Sequence, residues 1–337
     1  LAQTRRDEIM NKVKRNRKLE ERRIREINNS LKYLSKSIQK ESGILAVQEQ
    51  DNVFLCEDKM YKKVYTIRPA ILQNKKCEFV KALCNTFHNR IRLTQILKNN
   101  GDKLGSYMFM TVFFEAESYY DVKKDIEKFE DKLKKEITSI LYIDIQDSTL
   151  DSVISYMFLN YSGKMQQLNL SQLFTSNAGL HIFDTCKNNI NGEFYYEGNY
   201  GITCVGKDYP EAMPEMTKLF NEHEAVYQIC IDFQSYCQND KDIYQLALNR
   251  RYCNEKIELD NTDVVNLSFS LVAISNDKQQ LNELANNIFE YYDDKHVLIM
   301  PGAGRAKDIF LSISSLGMKD FHSMQNSNAQ IISNLFM

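Results

Sequence analysis

The nearest approach to a reactive motif in this 337-residue chain is Gly201-Ile-Thr-Cys-Val-Gly206-Lys207-Asp208. A phosphate loop reads G-x-x-x-x-G-K-[ST]: backbone amides cradle the phosphates, the lysine neutralises them and the hydroxyl holds Mg²⁺. Here Asp208 stands where the hydroxyl belongs, and its carboxylate repels phosphate. Ile202, Thr203, Cys204 and Val205 favour a strand, whereas a phosphate loop curls directly after its strand, and Pro210 follows at once. The segment is expected to be a strand ending in a glycine turn, with no nucleotide site. Gly302-Ala303-Gly304-Arg305 has the glycine content of a small anion-binding nest, but a turn between strand and helix accounts for the same residues.

Other chemistry is thin. The five histidines (88, 181, 223, 296 and 322) form neither HxxxH nor HExxH. His223 precedes Cys230 closely enough to suggest a thiol nucleophile and its base, yet Ile229 and Ile231 mark Cys230 as part of a buried strand and no orienting third group follows. Asp144, Asp147 and Asp151 match neither a calcium loop nor a two-metal site and are expected to begin a helix, where carboxylates suit the positive end of the dipole. Eight cysteines show no CxxC pair and no zinc spacing, so reduced, buried thiols in a cytosolic protein are expected. The reading is of a chain that is not itself an enzyme, with no catalytic, metal or cofactor residues.

Charge is the stronger signal. Residues 1–40 hold 13 Lys and Arg against 5 Asp and Glu, a net +8, and the chain as a whole carries −2, which leaves −10 on the other 297 residues. A basic arm thus joins an acidic body. Within the arm, Ile24, Ile27, Leu31, Leu34 and Ile38 recur at helical spacing, whereas Lys14 to Arg25 is nearly all charge. Three roles compete: a solvated helix docked on its own body, a helix that meets a partner or an anionic membrane surface, and a nucleic-acid contact. Arg15, Arg17, Lys18, Arg22, Arg23 and Arg25 are the candidate partner-binding residues. The body's negative field opposes a polyanion, so no direct nucleic acid is expected there.

These residues must be positioned by an ordinary globular composition, 43% hydrophobic and 26% charged, with no run of roughly 18 apolar residues. After the basic helical arm (1–42) the chain reads as a first α/β lobe (43–165), a second (166–300) and a tail (301–337). In the first, Val53–Cys56, Lys63–Ile67 and Tyr107–Glu117 read as strands. Phe79, Leu83, Phe87 and Ile91 read as one helix face, and Val122, Ile126, Phe129, Leu133 and Ile137 as another, capped by Ser118, with a further helix over Thr149–Tyr161. In the second, the strands are Gly201–Val205, Ala225–Asp232, Val264–Ile274 and 296–300, with helices at Glu211–Asn221, Lys241–Cys253 and 277–292. In the last helix Leu281, Leu284, Ile288 and Tyr291 share a face. The fold expected is α+β, with ferredoxin-like (split β-α-β) plait units used in two lobes.

Four segments in order carry a family resemblance: MTVFFEAESYYDVKKDIEKFEDKLKKEI, GEFYYEGNYGITCVGKDYPEAM (Gly192–Met213), LSFSLVAISNDKQQLNELANNIFEY and MPGAGRAKDIFLSI, before a closing N-A-x-I-I-x-N-L-F. Together they resemble the accessory domain that precedes the motor in the conjugation ATPases of type IV secretion systems (the VirB-four and TraC/TraE class). The chain begins with Leu, and residue 337 falls near the start of such a motor, so it resembles the motor protein without its motor. The resemblance implies an interaction and assembly domain that docks the motor to the cytoplasmic side of the secretion channel. Its partners would be channel subunits, further copies of itself and an anionic membrane surface, and its location the cytoplasmic, inner face of the cell membrane. ATP and Mg²⁺ would belong to an attached motor only. The reading from a different class is a nucleic-acid-binding module that uses the basic arm.

Overall fold

Long runs of β-branched and aromatic residues dominate the structure, because they pack well on a pleated surface that is covered on both faces. The computed structural model describes residues 2–36, 39–40, 43–68, 75–99, 104–148, 187–188, 192–196, 199–208, 224–236, 264–293, 298–313 and 324–335. Among the described residues fourteen strands form one antiparallel sheet: β1 (Lys32–Tyr33), β2 (Ile44–Gln48), β3 (Val53–Cys56), β4 (Met60–Ile67), β5 (Ile91–Asn99), β6 (Leu104–Glu115), β7 (Ile145–Asp147), β8 (Lys187–Asn188), β9 (Glu193–Tyr196), β10 (Asn199–Asp208), β11 (Val226–Ser235), β12 (Val264–Ser275), β13 (Leu298–Pro301) and β14 (Gln325–Asn328). Their order is β1-β2-β3-β4-β6-β5-β11-β12-β10-β9-β8, with β7 beside β4, β13 beside β10 and β14 beside β12.

This corrects the expected ferredoxin-like plait units in two lobes. The molecule is sheet-rich, and its hydrogen bonding runs unbroken from Ile91↔Phe233 to Lys98↔Val226 where β5 meets β11. Alternation in sequence marks a strand but is silent about which edge it joins, and here two strands, each covered on both faces, join edge to edge. The chain also departs from expectation at β5. Phe79, Val80, Leu83 and Cys84 form the buried face of α2 (Lys76–Thr86), but Ile91 opens a nine-residue strand and does not continue that helix. Asp144 precedes β7 and Asp147 ends it, so neither begins a helix, and Asp151 lies outside the described residues. The helices expected over Thr149–Tyr161, Glu211–Asn221 and Lys241–Cys253 lie outside the described residues.

Helices cover the sheet. The arm is α1 (Ala2–Asn28), followed in chain order by α2, α3 (Tyr119–Lys132), α4 (Lys278–Asp293), α5 (Ala306–Ile313) and α6 (Ala329–Leu335). Buried side chains of α2, α3, α4 and α6 share one core with Leu93, Leu97, Met110, Ile229, Leu271 and their neighbours. Full burial of each such apolar side chain contributes about 1.5–3 kcal/mol. Helix α5 lies on the opposite face, where Phe310 packs 4.9 Å from Phe194 between ring centroids and the carbonyls of Ser312 and Ile313 accept from Arg92 and Gln228.

Two runs of four strands share one neighbour order: β7-β4-β6-β5 on one side of the seam and β13-β10-β12-β11 on the other. The registers match residue by residue. Tyr65 sits between Met110 of β6 and Asp147 of β7, as Cys204 sits between Leu271 of β12 and Pro301 of β13. After β6 and β12 a capped helix follows in each run: Ser118 Oγ accepts from the Asp121 amide at 3.3 Å, and Asp277 Oδ1 from the Gln279 amide at 2.7 Å. Leu133 and Tyr292 stand equally far from these caps, as do Glu130 and Phe289.

Candidate functional site

The first run frames an open cavity edged with charge. Lys63 and Tyr65 alternate with Val64 along β4 and therefore face the helix layer, an unusual place for a lysine. Helix α3 brings Glu130 over them. Past Lys132 the helix widens into a π-turn at Leu133–Thr138, then closes with Ser139–Leu141 and Tyr142 in the left-handed conformation (φ 55°). That exit returns the chain through Ile143 to β7, which places Asp147 beside Tyr65. The result is a cavity of about 300 Å³ lined by Tyr65, Glu130 and Leu133 on one side and Ile143, Ile145 and Asp147 on the other, with Lys134, Thr138 and Asp144 completing it.

Its geometry is ionic. The Lys63 ammonium donates to Glu130 Oε1 at 2.5 Å and pairs with Asp147 Oδ2 at 3.2 Å, and its side chain is only 4% exposed. The Tyr65 hydroxyl donates to Glu130 Oε1 at 3.2 Å. Burial, then the negative charge of Glu130 and Asp147, holds the Tyr65 phenol well above the usual tyrosine range, so it stays a neutral donor. Asp144 is held at 3.0 Å by Arg68. Two carboxylates compensate this buried lysine, and its removal would return two half-exposed acids to water.

At corresponding positions the second run is apolar. Lys63, Tyr65, Glu130 and Asp147 have as counterparts Ile202, Cys204, Phe289 and Pro301, and where Leu133 lines the cavity Tyr292 is fully buried, its ring 6.2 Å from that of Phe269. Spacing alone could not reveal this site, since its members come from residues 63, 65, 130 and 147. One signal was available: a lysine among Tyr61, Tyr65 and Ile67 on the buried face of a strand.

The residues singled out from sequence are placed as follows. Arg15, Arg17, Lys18, Arg22, Arg23 and Arg25 all lie exposed on α1, with Arg17–Glu21 at 3.2 Å and Arg22–Glu26 at 2.9 Å as pairs one turn apart. Such pairs contribute about 0.3–0.5 kcal/mol and leave the cations accessible. The arm is fixed at its far end, where Asn28 Oδ1 accepts from the Tyr120 amide at 3.0 Å and Ile27 packs on the core. Helix α1 stops at Asn28, so the expected seam does not run on as one helix. Leu31 and Leu34 reach the core from the extended segment around β1, and Ile38 lies outside the described residues.

Gly201 to Asp208 is one continuous strand, not a loop. Gly201 is glycine because the Phe194 ring occupies the space of a Cβ, whose nearest atom would be 2.2 Å away. Gly302 of the "PGAG" turn is likewise confined, with Thr203 Oγ1 at 2.3 Å from a Cβ position. Cys230 lies buried in β11 with its thiol pushed up to about 12 by burial, and His223 is outside the described residues. Cys56, Cys77, Cys84, Cys204 and Cys230 carry no disulfide. No group of three or more His, Cys, Asp or Glu among the described residues could hold a metal ion, and no helix among them is long and apolar enough to cross a membrane.

The Arg90–Asp232–Arg92 cluster was missed by sequence reasoning. On the α5 face of the seam, Arg92 makes a two-bond pair with Asp232 (2.9 and 2.7 Å) while Arg90 reaches the same carboxylate at 3.2 Å. It ties β5, β11 and α5 together, with two guanidinium groups sharing one carboxylate. A scan of protein-family models and a search of curated proteins return no match to this chain.

Proposed function

We propose that this chain is an interaction and assembly module. In this reading it is the accessory half of a conjugative-transfer (type IV secretion) ATPase, and it docks the motor to the cytoplasmic side of the channel. The observation that carries the reading is α1: a helix of 27 residues, ~40 Å long at 1.5 Å per residue, fixed to α3 at its C-terminal end and presenting the six candidate cations, together with Lys14, exposed before that anchor. The four ordered segments resembling that family support the same assignment. The arm meets its partner through charge. Near an anionic bilayer each Lys or Arg contributes about 1 kcal/mol, so six exposed cations suffice for peripheral attachment at the inner membrane face.

The test replaces Arg15, Arg17, Lys18, Arg22, Arg23 and Arg25 together by glutamate. Flotation with phosphatidylglycerol-containing vesicles, and co-purification with channel subunits, are the readouts. Both are expected to be lost in the variant, and vesicle binding by the parent chain should fall steeply with salt, as screened attraction does. A parent chain that ignores vesicles and channel subunits alike, or a variant that binds as the parent does, refutes the docking role. Binding only to single-stranded DNA would move the arm to nucleic-acid contact.

A further inference from the structure

The cavity beneath α3 carries an inference that stands apart from the docking reading. Its deepest polar element is already the salt of an alkylammonium. Lys63 Nζ lies against Glu130 and Asp147 and 5.5 Å from the centre of the Tyr65 ring, but Lys63 stands behind the carboxylates and is not part of the cavity wall. Glu130 and Asp147 are 38% and 50% exposed, and a carboxylate offers about four lone-pair positions, so each keeps acceptor capacity on its open side. Between them the wall is apolar, formed by Leu133, Ile143 and Ile145.

The second run of strands makes this arrangement informative. The same strand register and a helix capped at the same distance carry Ile202, Phe289 and the fully buried Tyr292 there. A tyrosine on this frame can fill the space, and in the first run the space is kept open and edged with charge. We propose that the cavity is a binding site for a small organic cation, an alkylammonium or guanidinium group on a short apolar stem. The carboxylates of Glu130 and Asp147 accept from its N–H donors, and Leu133, Ile143 and Ile145 pack on its carbon chain. Lys63 and Arg68 pair with these acids from outside the wall, and what the wall itself presents is three carboxylates and one lysine, more acceptor than donor surface, which favours a ligand that brings N–H donors. A divalent metal ion is disfavoured because the Lys63 ammonium already occupies the inner side of both acids. The volume of about 300 Å³ is at the lower end for ligand sites and suits a four-carbon amine or one basic side chain.

Calorimetric titration of the whole chain with 1,4-diaminobutane and, separately, with Nα-acetyl-arginine amide tests this. Saturable binding of at least one probe is expected. The probe that binds separates a free amine from a basic side chain of a peptide as the source. Asp147→Asn should raise Kd at least about tenfold, one unit of 1.4 kcal/mol. Leu133→Tyr, which transplants the plug of the second run while leaving every charge in place, should abolish binding. Thermal melts identify which variant is folded, and weakened binding in either folded variant supports the site. Neither probe binding at roughly 10 mM, where even a weak millimolar site would be occupied, overturns the proposal. So does binding that persists unchanged in both variants.

Discussion

The two four-strand runs share a register yet differ at the positions that face the far end of their capped helices. In the first, Lys63, Tyr65, Glu130 and Asp147 make an ionic cluster under an open cavity; in the second, Ile202, Cys204, Phe289 and Pro301 occupy the corresponding positions and Tyr292 is fully buried. One backbone frame therefore accepts either solution, and side-chain chemistry, not topology, decides between a plug and a pocket. The helices reflect the difference. Helix α3 widens into a π-turn over the cavity, whereas α4 runs as α-helix from Lys278 to Asp293. A π-turn shifts the helix face by one residue and often accompanies functional sites.

The junction of the two runs offers the largest expected effect. Across β5 and β11 the residue pairs Arg92↔Asp232 and Gln228↔Ile96 lie on either side of Thr94↔Cys230, so one side of the seam is ionic and the other neutral. Asp232→Ala leaves two guanidinium groups, Arg92 at 1% and Arg90 at 12% side-chain exposure, without their shared carboxylate. Removing one partner of a buried pair costs about 3–5 kcal/mol, and this variant is expected at the upper end. Ile96→Ala, at the neutral position, should cost only about 2 kcal/mol. Urea unfolding of both variants checks the ranking, and equal losses would mean that the ionic side carries no special share of the junction.

How far this was legible in the sequence depends on the element. Helix α3 and strands β6 and β12 were readable because the helical spacing of Val122, Ile126 and Phe129, and the long runs of apolar and β-branched residues in the strands, are local patterns. Strand β5 was not. Its α5-facing residues include Arg92 and Thr94, which break the apolar pattern, and the buried Arg92 is compensated by Asp232 on a strand 140 residues away. Strand β14 reads Gln-Asn-Ser-Asn, a turn composition, and becomes a strand only by pairing with Val264–Leu267. The cavity was invisible for the same reason, since three distant segments meet only after the sheet has formed. The arm's charge was fully legible, because solvated charge needs no tertiary partner to be read.

Exchanging residues between the runs gives the next effect. Ile202→Lys places an ammonium where the corresponding neighbours are Phe289 and Pro301 and no carboxylate takes the part of Glu130 or Asp147; Ile202 is 4% exposed. A loss of about 3 kcal/mol is expected in chemical denaturation. The reverse change, Lys63→Ile, should cost about 1 kcal/mol, since half-exposed Glu130 and Asp147 regain water. If the two substitutions cost the same, the polar and apolar runs do not differ in the way the cavity implies.

A smaller difference appears at alkaline pH. The Tyr65 phenol is held well above its ordinary value of 10.0, by burial and then by Glu130 and Asp147. A group whose pKa is raised on folding contributes stability fully present below the unfolded value and lost as pH rises towards the folded one. The parent chain should therefore lose stability above pH 10 more steeply than Tyr65→Phe, which at neutral pH costs only the hydrogen bond to Glu130, about 1 kcal/mol. Parallel stability curves from pH 8 to 11, a range chosen to span roughly the free phenol value, would show that the cavity does not perturb Tyr65.

The smallest effect on stability is expected where charge is densest. Residues 14–23 of α1 are all exposed, and the contacts that hold the arm begin at Ile27, continue through Asn28 and Leu31 and end in the buried Leu34. Deleting residues 1–22 removes exposed cations and the Arg17–Glu21 and Arg22–Glu26 pairs, each worth about 0.3–0.5 kcal/mol within a helix that has no buried face at those positions. In a chain of 337 residues a change of 1 kcal/mol moves Tm by no more than about 2–4 °C, so the truncated protein should melt within about 2 °C of the parent. Vesicle and channel-subunit binding should disappear in the same protein. A fall in Tm of ten degrees or so, several times what those exposed pairs account for, would place the arm in the body's own packing. Its charge would then be the solvated face of a structural helix, and attachment would have to come from elsewhere.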